Sequence, residues 1–335
     1  MGNTLRSGLG AALFAALALA PGARAENEKA ILAIPGTNIL FLVQYVAADE
    51  HLWSNLGLDV DVRYITGIGA MNAVIAASVE FSMSSGPSIT RANARGQKLT
   101  ALSTANFQSG QDVVIRKDIA DAEHFDANAP LSIRGKIVKG RTFAVGGAAA
   151  IPDIVLKVIA RDAGVARDDV TVTPMQPPEF MAAFARKAID GFSNSPPFIQ
   201  QVVLDGTGVM VSDATKGEPK EFSPVSSVLL LARADYCPAH PSVCAKMVGG
   251  VTAALRLIRT DKEKAIGVMK AHFPTYNDKV LEASYDMLRQ ITPDPPITTP
   301  QELENGDNMN IAAGFMKPEE KLPRYDNIID NEFVK

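Results

Sequence analysis

Seven short segments of this 335-residue chain are rich in glycine, proline, alanine or small polar residues. They are Pro35-Gly36-Thr37-Asn38, Thr66-Gly67-Ile68-Gly69, Ser84-Ser85-Gly86-Pro87-Ser88, Asn106-Phe107-Gln108-Ser109, Gly146-Gly147-Ala148-Ala149, Gln176-Pro177-Pro178-Glu179 and Ser193-Asn194-Ser195-Pro196. Most run straight into a stretch with helical periodicity. Glycine lets a backbone approach a ligand closely. Hydroxyl and amide side chains donate and accept hydrogen bonds. A helix N-terminus offers free N–H groups and a partial positive charge. The chemistry is therefore binding, with Gly36, Thr37, Asn38, Thr66, Gly67, Ser84, Ser85, Asn106, Phe107, Gly146, Gly147, Ala148, Gln176, Ser193 and Asn194 as the candidate ligand-binding residues. None of the loops holds Lys or Arg. A dianion normally takes a paired cation, so the expected ligand is a monoanion on helix ends, or a neutral polar or aromatic solute. Arg91 and Arg141 are the cations that could still reach it. The competing structural roles are helix caps for Asn38 and Ser85, a tight turn for Gly36, core packing for Phe107, Phe180 and Phe198, and a first-turn charge for Glu179.

Catalysis finds little support. The four histidines, at 51, 124, 240 and 272, lie outside these loops, and neither Gly-x-Ser-x-Gly nor His-Glu-x-x-His occurs. Asp49-Glu50-His51 has metal-ligand residue types, but consecutive helical residues point to different faces. Cys237 and Cys244 lack Cys-x-x-Cys spacing and a nearby His pair for zinc. In an oxidising compartment they could close a short loop, because Pro238 and Pro241 argue against helix between them. The alternative is one buried thiol and one thiol on a helix. No cofactor, metal site or catalytic residue is expected, and an enzyme is the rival reading.

The elements that must position the loops alternate. Segments 29–34, 58–65, 80–83 and 98–105 read as strands; 38–52, 69–79 and 87–94 read as helices. Adding 110 to these numbers gives a second, similar run: Gly36 falls on Gly146, Asp59-Val60 on Asp169-Val170, Met71 on Met181, Ser85 on Ser195, Pro87 on Pro197 and Gly96 on Gly206. Its strands are 141–145, 170–173, 188–192 and 206–211, and its helices are 152–163, 178–187 and 196–204. The pattern predicts two α/β lobes, each a parallel sheet with helices on both faces. Segments 111–116 and 226–233 are the outward and return crossings, a two-strand hinge. Lobe 1 is expected over 26–111 and 225–335, and lobe 2 over 112–224. Helices at 242–259, 262–271, 278–290 and 301–315 should complete and flank lobe 1.

The N-terminus reads as an export signal. Arg6 precedes 12 uncharged residues, 9–20, roughly 18 Å of helix, where a span needs about 20 residues. Pro21-Gly22 then breaks the helix, and Ala23-Arg24-Ala25 is a small-x-small cleavage pattern. Residues 1–25 are thus expected to be a cleavable secretory signal. No Cys near the cut would carry a lipid anchor, and no later segment reads as a membrane span. The expected location is the periplasm. Hydrophobic content of 47% and charged content of 21% fit a well-buried globular chain. Net charge −4 gives no basic field for nucleic acid or a membrane surface. A monomer is expected.

Open α/β sheets bind ligands at the carboxyl ends of their strands, and a hinge sets two such edges face to face. An exported protein of this layout reads as a solute receptor for an ABC importer. The chain resembles the nitrate/sulfonate/taurine-type periplasmic binding proteins of the NMT1/THI5-like superfamily. The resemblance rests on Leu56-Gly57-Leu58-Asp59-Val60-Asp61-Val62, on Gly69-Ala70-Met71-Asn72-Ala73-Val74-Ile75-Ala76-Ala77-Ser78-Val79-Glu80-Phe81, on Arg134-Gly135-Lys136 with Gly140-Arg141-Thr142-Phe143-Ala144-Val145, and on Ala188-Ile189-Asp190-Gly191. Members usually carry a glycine just before the short Val/Ile-Asp strand; Ser78 and Lys187 or Ala188 occupy that region here. The resemblance implies a type II periplasmic binding-protein fold, a small-molecule solute (a sulfonate, taurine or nitrate-like monoanion, or a small aromatic acid) and an ABC permease as partner. It also implies two alternatives: a receptor for a neutral pyrimidine or thiamine-precursor solute, and an enzyme of pyrimidine synthesis. That enzyme carries a Cys-rich motif, which this sequence lacks. A sensory receptor with the same cleft and another docking surface is a further rival.

Overall fold

The structure is a computed structural model that describes residues 1–2 and 26–334, so the expected signal lies outside the described residues. The first half runs β1 (Glu28–Ile34), α1 (Leu42–Asp49, preceded by a 3₁₀ turn at Ile39–Phe41), β2 (Leu58–Tyr64), α2 (Gly69–Ile75), β3 (Phe81–Ser84), α3 (Gly86–Ala94) and β4 (Leu99–Asn106). The second runs β5 (Asp112–Arg116), α4 (Lys117–Ala122), α5 (Leu131–Arg134), β6 (Arg141–Val145), α6 (Ile151–Asp162), β7 (Val170–Pro174), α7 (Pro177–Ala185), β8 (Gly191–Asn194), α8 (Phe198–Leu204) and β9 (Gly208–Met210). Then come β10 (Val228–Arg233), α9 (Tyr236–Ala239), α10 (Pro241–Thr260), α11 (Lys262–His272), α12 (Asp278–Ile291) and α13 (Pro300–Ala312).

Two five-stranded sheets result, ordered β2-β1-β3-β10-β4 and β7-β6-β8-β5-β9. The two orders are the same once β5 is matched with β10. The internal repeat is visible at this level: β3 and β8 lie 110 residues apart at both ends. Ala77 and Lys187, also 110 apart, both take left-handed φ, at 57° and 62°; Lys187 is one of the residues that stand where members of the resembled family usually carry glycine, and Ala77 is next to Ser78, another. Glu80 and Asp190 follow suit. Each carboxylate accepts a backbone N–H from the neighbouring strand, Ile31 at 2.7 Å and Thr142 at 2.9 Å.

The sheets are mixed, which corrects the all-parallel expectation. β10 runs antiparallel to β3 and β4, and β5 antiparallel to β8 and β9. The reason is connectivity. The chain leaves each lobe at the carboxyl edge of its parallel strands, so a strand entering the other lobe there must run away from that edge. The crossing itself is a short paired ribbon: Val225 N–H donates to Phe107 O and Ser227 N–H to Asn106 O, both at 2.9 Å. The strand expected at 188–192 sits at Gly191–Asn194 because Lys187 turns the chain and the Asp190 side chain caps β6.

Each sheet has its own buried core. Leu32, Leu58, Phe81 and Leu230 pack with Met247, Leu255 and Tyr285 in one; Val113, Phe143, Val155 and Ile159 pack in the other. Each such side chain contributes about 1.5–3 kcal/mol by burial. The edge strand β2 alternates instead, exposing Asp59 and Arg63, which discourages edge pairing with another chain.

Two further expectations change. α13 does not flank lobe 1 alone. Its Asn310 donates to Pro87 O at 2.7 Å, while Met309 joins the second core. α10 is long and apolar enough to cross a membrane by length and composition, contrary to the sequence reading, but its Val243, Met247, Val251, Leu255 and Ile258 are buried in the first core. Cys237 and Cys244 form a disulfide, with Cα atoms 5.6 Å apart. The intervening segment is mostly helical, since Pro238 lies in α9 and Pro241 opens α10, where its missing N–H costs nothing.

Asp112, the first residue of β5, is fully buried beside the crossing. Its Oδ1 accepts Ala214 N–H at 2.7 Å and the Ser212 hydroxyl at 3.3 Å. Burial, aided by nearby Asp213 and Glu218, pushes its carboxyl up to about 8. The folded form therefore holds a proton that the unfolded form releases above about pH 4. Stability from this group is complete below that pH and is lost as pH rises through about 8, at a slope on the order of 1 kcal/mol per pH unit. Asp112→Asn should flatten urea-midpoint profiles between pH 5 and 8; an unchanged slope would contradict the assignment.

Candidate functional site

The carboxyl ends of β1, β2, β3, β6, β7 and β8 converge on one cavity of about 140 Å³ between the sheets. From one side it is lined by Pro35, Gly36, Thr37, Asn38, Phe41, Tyr64, Gly67, Ile68, Ser84, Ser85, Ser88, Ser227 and Val228; from the other by Gln111, Gly146, Ala150, Ile151, Pro152, Gln176, Pro177 and Asn194. Nine expected residues are brought together here: Gly36, Thr37, Asn38, Gly67, Ser84, Ser85, Gly146, Gln176 and Asn194.

Six are not among the lining residues. Thr66 stands one position back and donates to the Tyr64 hydroxyl at 3.4 Å. Asn106 is buried and donates to Leu40 O at 3.1 Å, tying the crossing to the helix turn. Phe107 belongs to the crossing ribbon, with its N–H on Ile291 O at 3.0 Å. Gly147 carries a turn carbonyl for Ala150 N–H, and Ala148 is exposed. Ser193 is fully buried because alternate strand residues face opposite ways, so Asn194 lines the cavity and Ser193 does not.

Sequence reasoning missed Phe41, Tyr64, Ser88, Gln111, Ile151 and Ser227, among others. Most occupy the first helical turn after a loop or the last strand residue before one, positions the loops themselves pointed to. Gln111 opens the expected outward crossing strand, outside the seven loops. Phe180 and Phe198 are core residues.

No residue lining the cavity among those described is charged. Arg91 is held elsewhere: it donates to Asn310 Oδ1 at 2.8 Å and to Ala149 O at 3.0 Å. Arg141 pairs with Glu123 and with Ile137 O. The helix ends are also largely spoken for. Ile39 N–H donates across the cleft to Pro196 O at 3.1 Å, Leu40 N–H to Asn38 Oδ1 at 3.0 Å and Phe41 N–H to Asn38 O at 3.1 Å. At α3, Gly86 N–H is taken by Ser226 O at 2.7 Å and Ser88 N–H by Ser85. α7 opens on two prolines, and its Glu179 N–H bonds Gln176 O. α6 carries Asp153 in its first turn, buried, accepting Ala149 N–H at 2.8 Å and paired with Lys157. Asn38 and Ser85 are thus caps that also line the cavity.

The two sides also touch directly. The Tyr64 hydroxyl donates to Gln176 Oε1 at 3.3 Å, and Gln176 Nε2 donates to Gly146 O at 3.3 Å. A buried cluster sits behind the crossing. Glu302 of α13 accepts the Ser226 hydroxyl at 2.7 Å and the Thr104 hydroxyl at 3.1 Å, and burial raises its carboxyl above the usual range. Asp49-Glu50-His51 forms no metal cluster; Asp49 pairs with His272 at 2.9 Å and Glu50 with Lys264 at 3.5 Å. No group of metal-ligating side chains occurs among the described residues.

Residues 39–271 match the model of the NMT1-like family. Four Brucella proteins whose names call them binding proteins, two from Brucella abortus and one each from Brucella suis and Brucella melitensis, are each 27% identical over 227 residues, 67% of this chain. The chain spans 65% of the length of these curated relatives. Among solved structures, the alkanesulfonate-binding protein SsuA of Xanthomonas axonopodis pv. citri, bound to MOPS, superposes with TM-score 0.70 at 15% identity, covering 92% of this chain and 99% of that one. The ligand-binding component of an ABC-type import system from Staphylococcus aureus, with zinc bound, gives TM-score 0.70 at 14% identity, covering 92% and 98%. At these identities the structural likeness establishes the periplasmic binding-protein fold.

Proposed function

The chain belongs to the NMT1-like family, and from that premise we propose that it is an extracytoplasmic solute-binding receptor serving an ABC importer. The observation that carries this reading is the cavity between the carboxyl edges of two sheets, lined by uncharged polar and apolar side chains from both. Such a surface can surround a small solute and leave it chemically unchanged. Its serines have no base beside them, and it offers no acid, nucleophile or metal set of the kind catalysis requires. The receptor works as a monomer in the periplasm, delivered by the signal at 1–25, and hands its solute to a permease. The ribbon at Phe107 and Val225 is the hinge on which the lobes close. The cargo is a small monoanion of the sulfonate, taurine or nitrate kind, a small aromatic acid, or a neutral pyrimidine-like solute.

Thermal-shift screening of the mature protein against sulfonates, nitrate, aromatic acids and pyrimidines tests the reading. A ligand at 100 times its Kd should stabilise the fold by about 2.7 kcal/mol. If no small solute raises the melting temperature, the receptor reading fails.

A further inference from the structure

Gln111 is an unused polar group in the cleft. It is 7% exposed and lines the cavity, and its Oε1 is buried with no hydrogen-bond partner. Its position is fixed. Ser109 Oγ both donates to Gln111 O at 3.1 Å and accepts Gln111 N–H at 3.2 Å. Between them Gly110 takes a left-handed φ of 58°, and a Cβ there would lie 2.8 Å from Leu40 Cδ2. The turn therefore fixes the Gln111 backbone at the point where the chain crosses between lobes, and the residue lines the cavity there.

We propose that the solute of this cleft is uncharged and presents an amide-type edge, one donor beside one acceptor, to Gln111. The proposal rests on the receptor reading above and narrows its cargo. Three observations converge on it. The side-chain amide offers both an acceptor and donors, so its complement is another amide-type edge; a carboxylate or sulfonate supplies acceptors alone and leaves Oε1 unpaired. The first N–H groups of α1 and α3 are already bonded, α7 opens on prolines, and α6 begins with a buried Asp153. No cation lines the cavity, and an anion buried without a partner is strongly disfavoured. The volume of about 140 Å³ is close to the roughly 150 Å³ of an engineered cavity that takes one benzene. Phe41, Tyr64 and Ile151 wall it with apolar surface, so the solute has a body of about one ring.

Titration calorimetry with isosteric pairs tests this: benzamide against benzoate, and nicotinamide against nicotinate, at pH 7.5. The amides should bind at least tenfold tighter than their carboxylates. Gln111→Met keeps the volume and removes the amide. It should weaken the amides at least tenfold while the ligand-free melting temperature holds or rises, whereas a purely structural Gln111 would lower it. Carboxylates that bind as tightly as the amides, or unchanged amide affinity in Gln111→Met, would overturn the proposal. If none of the four binds while the broader screen still finds a ligand, the amide class is wrong and the receptor reading stands. If both screens are blank, the receptor reading itself is wrong.

Discussion

Gly146→Phe should abolish solute binding, by 100-fold or more, and leave the fold in place. Gly146 follows β6 at the cleft, and a Cβ built on it meets only Asn194 Nδ2, at an ordinary 3.6 Å. Its backbone is not in the left-handed region, so a side chain brings no φ strain. The new ring has one place to go, the cavity of about 140 Å³, which it would nearly fill. Binding by calorimetry and melting by circular dichroism separate the two effects. A variant that melts normally and still binds would move the site elsewhere. A variant that fails to fold would show that β6 carries more packing at this end than the contacts around Gly146 indicate.

Gly191→Ala should be the opposite case, a single methyl that removes a large part of the stability. Gly191 opens β8 in the middle of the second sheet, paired with Ile115 and Phe143. A Cβ there would lie 2.3 Å from Phe143 Cε1 and 2.3 Å from Val114 O. Phe143 is fully buried and Val114 O is backbone, so neither can swing aside. Overpacking in a filled core usually costs 1–3 kcal/mol, and a clash with backbone sits at or above the upper end, about 3 kcal/mol or more. Against a total of about 5–15 kcal/mol, urea unfolding should register a large drop. Gly267→Ala is the control. That glycine lies within α11 with nothing within 4 Å, and the same methyl there should stabilise by about 0.5–1 kcal/mol. Equal effects at the two sites would show that the close approach at Gly191 does not govern stability.

These contrasts locate what the sequence made legible. Strand and helix order followed from hydrophobic periodicity, and the offset of 110 residues survived into two sheets of matching order. Strand direction did not follow. An antiparallel β5 or β10 has the same residue pattern as a parallel strand, and its direction depends on where the crossing enters the sheet. Nine of the fifteen candidates taken from the loops line the cavity, because carboxyl strand ends are fixed by topology. Ser193 fell away on a question of strand register that four residues of apolar-polar pattern cannot settle. Gln111 was invisible for a different reason: it lies in the connection between lobes, and its neighbourhood exists only once both sheets are assembled. The expectation of helix ends waiting for an anion also depended on assembly. Ile39 N–H finds its acceptor, Pro196 O, on the opposite lobe, a partner 157 positions away (196 − 39) that no local pattern announces.

The most direct test of the central account is to purify the mature protein from cells under native conditions, denature it, and identify the released small molecules by mass spectrometry. The account predicts one small solute, near one equivalent per chain and chemically unaltered after incubation with the protein, and its loss from Gly146→Phe prepared in parallel. A solute converted to a new product, or one retained equally by Gly146→Phe, would contradict it.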